Sequence, residues 1–144
     1  MLKKARLPIV LIAAVCLGTI RTAHAQDRNA QVQKALAASD AWLKLVDAEK
    51  YTNSWNQAAS FFRDHVTADR WAQMAAAARQ PLGALKSRQF KAAQYATHLP
   101  GAPAGQYVVI QYDAAYANKP DAVETVTPML DKDGQWRVSG YYIR

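Results

Sequence analysis

Residues 122–144 read AVETVTPML, DKDG and QWRVSGYYIR, and this stretch decides the fold. Two runs rich in β-branched and aromatic residues flank a four-residue turn, which is typical of a β-hairpin. We expect Gly134 to close the turn at positive φ, a conformation that glycine adopts at little cost. Such a turn fixes the strand register, and four cross-strand pairs are predicted: Leu130 with Trp136, Pro128 with Val138, Val126 with Gly140, and Glu124 with Tyr142. Because Pro128 has no N–H for the ladder, it indicates a sheet edge or a bulge.

The chain before the hairpin predicts helices and then two more strands. Apolar side chains recur at helical spacing in three segments: 31–48, a segment from a cap at Thr52 or Asn53 to about residue 64, and a segment from a cap at Thr67 to Arg79. Alternation over 88–99 and 106–116 indicates strands. The prediction is an α+β domain in which three N-terminal helices pack on one face of a curved, four-stranded antiparallel meander sheet.

The N-terminus is typical of a secretory signal peptide that is cleaved after Ala25. A positive start, an apolar run and a small-x-small site follow one another: Lys3-Lys4-Ala5-Arg6, 7–20, and Ala23-His24-Ala25. The apolar run is too short for a good membrane span, so no stable span is expected after cleavage. Cys16 also admits a lipoprotein, although the bulky Val15 before it disfavours that alternative. We therefore predict an exported, periplasmic protein.

Cleavage would leave a mobile polar arm, 26–30, and a single domain, 31–144. The signal peptide carries four basic residues and no acidic one, so the formal net charge falls from +7 to +3. No basic run remains, and we expect no nucleic-acid partner. The one cysteine leaves with the signal peptide, so no disulfide is expected. Packing must hold the fold, with Trp42, Trp55, Trp71 and Trp136 as large anchors.

The motifs of metal, cofactor and nucleophilic sites do not occur in this sequence. His65 and His98 have no neighbours at ligand spacing, and no phosphate loop or dinucleotide fingerprint is present. An acid–base dyad of Asp113 and His98 across neighbouring strands is the weak alternative that the pattern allows. We therefore predict no metal, no cofactor and no catalytic residue.

Most of the chain resembles a bacterial family. The residues that carry the resemblance are Trp42-Leu43, Asp47, Tyr51, Ser54-Trp55, Phe61-Phe62, Trp71, RQPLG at 79–83, Ser87-Arg88, YVVI at 107–110, VET at 123–125 and DGQWRVSGYY at 133–142. The sequence is similar to the domain of unknown function 4019 family, which implies no particular activity. The order of helices and strands also resembles cystatin-like and nuclear-transport-factor-2-like folds, which host both enzymes and binding modules.

Glu124 is the residue of greatest functional interest. On the predicted register it points inward, and a buried carboxylate requires a cation or hydrogen-bond donors. Arg79 and Arg88 are the candidate cations, and Tyr142 is a candidate donor. Tyr112 and Trp42 complete the candidate cleft between sheet and helices. A structural ion pair is the more common role for such a group, and a ligand-binding or catalytic role is the alternative.

Three functions follow as hypotheses. The first is a non-enzymatic module of the cell envelope that binds an unidentified small molecule or envelope protein. The second is an enzyme of the nuclear-transport-factor-2-like type that uses Glu124 and Tyr142. The third is a structural homodimer, formed through an outer sheet face that mixes apolar and hydroxyl groups: Thr125, Thr127, Met129, Ser139, Tyr141 and Ile143. The same composition also suits an ordinary solvated face.

Overall fold

The computed structural model describes residues 19–144. Four α-helices precede four strands: α1 (Thr19–Asp47), α2 (Tyr51–Asn56), α3 (Ser60–His65), α4 (Ala68–Arg79), β1 (Leu85–Ala96), β2 (Tyr107–Tyr116), β3 (Lys119–Leu130) and β4 (Trp136–Ile143). Residues 1–18, which hold most of the predicted signal peptide, lie outside the described residues. Among residues 19–144, no helix has both the length and the apolar character that a bilayer crossing requires.

Helix α1 confirms the helix predicted over 31–48 and begins earlier. Its packed part starts near Gln31, whose side chain accepts a 2.9 Å hydrogen bond from Trp136. The predicted stripe is buried at Ala35, Trp42 and Val46. Residues 26–30, predicted as a mobile arm, belong to α1 and are exposed.

The prediction of one continuous second helix is wrong, because two short helices, α2 and α3, occupy this segment. The chain leaves α2 at Gln57 and turns extended at Ala59, whose ψ is 149°. There the Ala59 N–H donates to the Val138 carbonyl oxygen of β4 at 2.8 Å. Docking on a strand edge therefore satisfies the backbone where the helix breaks. The helix count is four and not three.

Helix α4 has the boundaries that the sequence predicts. The Thr67 hydroxyl accepts from the Arg70 N–H at 3.3 Å, which is an N-cap. The cap predicted at Thr52 or Asn53 is wrong, because α2 begins at Tyr51 without a side-chain cap. After Arg79 the chain makes one 3₁₀ turn that contains Pro81.

The four strands form one open antiparallel sheet in the order β1-β2-β3-β4. The meander is therefore confirmed, with β1 and β4 at the edges. Gly134 has a φ of 79° in the final turn, as predicted. Near that turn the register is also as predicted, with Leu130 opposite Trp136 and Pro128 opposite Val138.

Beyond Pro128 the predicted register is wrong by one residue. The pairing shifts between Thr127 and Pro128, which is the irregularity that Pro128 indicated. Glu124 consequently lies opposite Ile143, and Thr125 lies opposite Tyr142. The shift turns Tyr141 toward the helices and leaves Tyr142 59% exposed on the other face.

The main core lies between α1, α2, α4 and the inner sheet face. Its centre is aromatic: the Trp42 ring lies 5.5 Å from Trp71 and 5.4 Å from Tyr141. Its buried members are Ala35, Trp42, Leu43, Val46, Trp71, Ala75, Val108, Ile110, Tyr112, Val126, Trp136 and Val138. A smaller cluster on the outer face joins Tyr107 and Met129 to Ala59 and Phe61. The helices therefore do not all contact the same face, because the segment around α3 reaches round the β4 edge.

Candidate functional site

Six polar side chains meet where the helices cross the inner face of the sheet. Each comes from a different element, and we call the group the buried cluster: Asp47 (α1), Arg79 (α4), Arg88 (β1), Tyr116 (β2), Glu124 (β3) and Tyr141 (β4). The two carboxylates and the two guanidinium groups balance in charge. The sheet register brings the strand members together, because alternate residues of each strand share the inner face.

Glu124 lies at the centre of the buried cluster and is 0% exposed. Its Oε1 accepts hydrogen bonds from the hydroxyls of Tyr116 at 2.5 Å and Tyr141 at 2.6 Å. The same atom accepts from Arg88 Nη2 at 3.2 Å and from Arg79 Nη1 at 3.3 Å. Its Oε2 accepts from Arg88 Nε. These donors and the two guanidinium charges together compensate the buried negative charge of Glu124.

Asp47 bridges the two arginines from the helix side. Its Oδ1 accepts from Arg79 Nη2 at 2.7 Å and from Arg88 Nη2 at 2.9 Å. Its Oδ2 accepts from Arg88 Nη1 at 2.7 Å. The Asp47 side chain is 25% exposed, whereas that of Glu124 is fully enclosed. Asp47 therefore forms the solvent-facing side of the buried cluster.

The surroundings lower the pKa values of the two acids in the buried cluster and raise the pKa of the Tyr116 phenol. Burial raises the pKa of Glu124, but hydrogen bonds from Arg88 and its charge, with the two phenols, outweigh burial and hold that pKa below its usual value. Burial likewise raises the pKa of Asp47, and Arg88 and Arg79 bring it below normal. Burial and then the hydrogen bond to Glu124 raise the pKa of Tyr116 to about 12. At neutral pH both acids are thus ionised and the phenol is protonated.

The predicted site residues separate into two groups. Arg79 and Arg88 both contact Glu124, as predicted from their positions at the crossover. Tyr142 does not, since it lies on the opposite sheet face. Tyr112 lies beside Glu124 in register, but its hydroxyl donates to Asp40 Oδ1 at 3.0 Å. Trp42 is a core residue whose Nε1 donates to the Ser54 carbonyl oxygen at 2.9 Å.

Sequence reasoning missed Asp47, Tyr116 and Tyr141. Asp47 lies on the polar stripe of the α1 pattern, and Tyr116 lies on the inner side of the β2 alternation. Tyr141 is the residue that the β4 irregularity turns inward. The weak dyad alternative is also separated, because Asp113 pairs with Lys91 at 2.7 Å and His98 contacts Thr97.

A pocket of about 370 Å³ opens beside Asp47 and Arg79, and we call it the rim pocket. It is lined by Val46, Asp47, Glu49, Tyr51, Arg79, Gln80, Gly83, Ala84 and Leu85. The Glu49 carboxylate and the Tyr51 hydroxyl make no hydrogen bond within the described part of the chain. The rim pocket therefore offers hydrogen-bonding groups without a protein partner, beside the charge-balanced buried cluster. Within residues 19–144, no three His, Cys, Asp or Glu side chains gather as metal ligands would.

Together these features define a small α+β domain built around a buried arginine–carboxylate–tyrosine cluster. Residues 38–141 match a protein family, and the chain belongs to that family, described as protein of unknown function (DUF4019). No curated protein and no solved structure matches the chain. The resemblance stated from the sequence is thereby confirmed for the family, while the cystatin-like and nuclear-transport-factor-2-like analogies stay predictions.

Proposed function

We propose that the protein is an exported, non-enzymatic binding domain of the cell envelope whose ligand is a small molecule held in the rim pocket. One observation carries the proposal. Glu124 accepts five hydrogen bonds and is 0% exposed, while the Asp47 side of the same cluster faces a pocket of about 370 Å³. That volume falls within the usual range for ligand sites. The cluster acts as a scaffold, and the pocket acts as the site.

Export is supported by the N-terminal sequence and is compatible with the packing. Cleavage after Ala25 would remove residues 19–25 of α1. Among the α1 residues from His24 onward, Gln31 is the first whose side chain bonds to the sheet, so cleavage after Ala25 leaves that contact in place.

The geometry argues against the enzyme hypothesis that uses Glu124 and Tyr142. A general base must accept a proton from a substrate within hydrogen-bond reach. Glu124 is enclosed and bonded to two arginines, and Tyr142 lies across the sheet from it. Catalysis in this domain would require other residues.

The proposal is tested by native mass spectrometry of the protein purified from the periplasm of a Gram-negative host. We expect wild type to carry a co-purified small molecule. Ala84 is exposed and lines the rim pocket, so Ala84→Trp should fill the pocket and remove that mass. Ala92 is exposed on β1 outside the pocket, and Ala92→Trp is the matched control that should retain it. An unliganded mass for wild type, or a ligand retained by Ala84→Trp, would contradict the proposal.

A structural homodimer through the outer sheet face is the second candidate. It is favoured by Tyr142, which is 59% exposed beside the half-buried Thr125 and Thr127. Aromatic side chains of this kind are enriched at interfaces. Light scattering decides between a monomer, which removes this candidate, and a dimer that Tyr142→Ser should dissociate.

A further inference from the structure

We infer that the rim pocket selects a small alkyl amine, bound as its ammonium cation; this inference rests on the proposed function. The argument begins from charge. The two acids and the two arginines of the buried cluster cancel, so the cluster contributes no net charge to the pocket floor. Glu49 then adds one uncancelled negative charge at the pocket wall. A cation is therefore favoured there, and an anion is repelled.

Glu49 is available to a ligand. It is exposed, and its carboxylate has no hydrogen-bond or ion-pair partner within the described residues. It lies in the turn between α1 and α2, with a φ of 57°. Its own N–H donates to the Val46 carbonyl oxygen at 3.0 Å, and the Lys50 N–H donates to the Leu45 carbonyl oxygen at 2.9 Å. These bonds hold the backbone, so the side chain is free for another role.

The remaining lining supplies the other contacts that an ammonium group requires. Asp47 Oδ2 accepts only one hydrogen bond within the described chain, and the Asp47 side chain is 25% exposed. An ammonium group has three donors, which two carboxylates and the Tyr51 hydroxyl can accept. The positive charge of Arg79 does not prevent an ammonium group from binding, because the Arg79 guanidinium is paired with Asp47 and Glu124.

The apolar part of the lining selects the rest of the ligand. Val46 and Leu85 line the same pocket and offer aliphatic surface. A short methylene chain can lie against them while its ammonium end reaches Glu49 and Asp47. A hydrated inorganic cation would make no apolar contact with that aliphatic surface, so an alkyl amine is the better match.

The test compares ligands of one length and different charge on the full protein from the same purification, stripped of any bound molecule. Calorimetric titration with n-butylamine should show saturable binding. 1-Butanol and butyrate, which have the same chain length, should bind at least about tenfold more weakly, because hydrogen bonds between charged groups are the stronger ones. Equal binding of 1-butanol, or no binding of n-butylamine, would overturn the inference.

A matched pair of variants locates the interaction. Glu49→Gly removes the carboxylate at a position where glycine adopts positive φ readily, so the variant should fold. It should weaken n-butylamine binding about tenfold. Asp64→Asn removes one negative charge from an exposed residue outside the pocket and should leave the affinity within about twofold. Equal weakening by both variants would contradict the inferred contact.

The two failures are distinguishable. If a neutral or anionic molecule co-purifies and Ala84→Trp removes it, the proposed function stands and the amine inference falls. If no molecule co-purifies with wild type, or Ala84→Trp retains the one that does, the proposed function falls and the amine inference falls with it.

Discussion

Residues 19–144 contain two groups of arginine–carboxylate contacts, and the groups differ in burial. The buried cluster joins helices to sheet with a fully enclosed Glu124. The second group, which we call the turn cluster, lies at the final hairpin turn: Ser60, Asp131, Asp133 and Arg137. There Arg137 bonds to Asp133 at 2.7 and 2.8 Å, and the Asp133 side chain is 56% exposed. The bond lengths are alike in the two groups, but the Asp133–Arg137 pair is exposed, whereas removing one partner of the Glu124–Arg88 pair would leave a buried charge uncompensated.

The two groups also differ in how many parts of the chain each of them joins. The buried cluster takes one residue from each of six elements, so it can form only when all six are correctly placed. The turn cluster is largely local, apart from Asp131, which accepts from the Ser60 N–H at 2.8 Å and from its hydroxyl at 2.6 Å. Of these two groups, the buried cluster and that one link are therefore the parts that join helices to the sheet.

The largest effect is expected from Glu124→Gln. It keeps the shape of the side chain but removes the charge that compensates Arg88, and breaking a buried pair costs about 3–5 kcal/mol. The melting temperature should fall by roughly 10 °C. Asp113→Asn breaks the exposed pair with Lys91 and serves as the control, with an expected loss under about 1 kcal/mol. Equal losses for the two variants would remove the distinction between buried and exposed pairs.

Acid should destabilise the protein in part through the two carboxylates of the buried cluster, beside Asp131 and Asp133, whose pKa values are also lowered. Glu124 and Asp47 have pKa values below their usual range in the folded state, so the unfolded chain binds protons more readily. Their stabilising contribution is complete above the unfolded-state pKa of roughly 4 and is lost as the pH falls through the lower folded-state values. Urea unfolding between neutral and acidic pH measures this slope. Glu124→Gln should reduce this slope, because it removes one of the carboxylates with a lowered pKa, and an unchanged slope would contradict the assignment.

A smaller effect is expected from Asp131→Asn. The amide has only one acceptor oxygen, so it can keep only one of the two bonds from Ser60, and leaving a buried donor without its acceptor costs about 1–3 kcal/mol. Ser60→Ala removes only the hydroxyl bond and should cost less in the same urea titration. If Ser60→Ala costs as much as Asp131→Asn, the backbone link from α3 to the turn contributes nothing.

The smallest effect is expected from Asp133→Asn. Hydrogen bonds from Arg137 and then from the Gln135 N–H lower the pKa of Asp133 to about 2. Because the group is exposed, solvent and salt screen the interaction. Thermal melts of this variant and wild type should coincide at high salt. A clear separation there would mean that the turn cluster is stabilised by more than screened charge.

These contrasts also show what could be read from the sequence. The turn at Gly134, the register up to Pro128 and the Thr67 cap are local features with short-range causes, and all three are confirmed. The split between α2 and α3 could not be read, because the break is compensated by a hydrogen bond from Ala59 to Val138 in a distant strand. Secondary-structure pattern carries no information about that partner.

The candidate site could be predicted in part for the same reason. Arg79, Arg88 and Glu124 follow from the need to compensate an inward carboxylate. Tyr141 and Tyr142 were exchanged, because one extra residue in a strand reverses every side chain beyond it. Pro128 indicated that an irregularity occurs, but it did not show on which strand the extra residue lies. Asp47 was missed because a helical pattern assigns it to the polar stripe and does not show that α1 ends over the arginines.

The central claim is that Glu124 and Arg88 act as one structural unit, and a double-mutant cycle tests it most directly. The free energy of unfolding in urea at neutral pH is measured for wild type, Glu124→Gln, Arg88→Gln and the double variant. We expect the sum of the two single-variant losses in unfolding free energy to exceed the loss of the double variant by about 2 kcal/mol. The reason is that the second change removes a charge that the first left uncompensated. Strictly additive losses, or a Glu124→Gln variant as stable as wild type, would contradict the account.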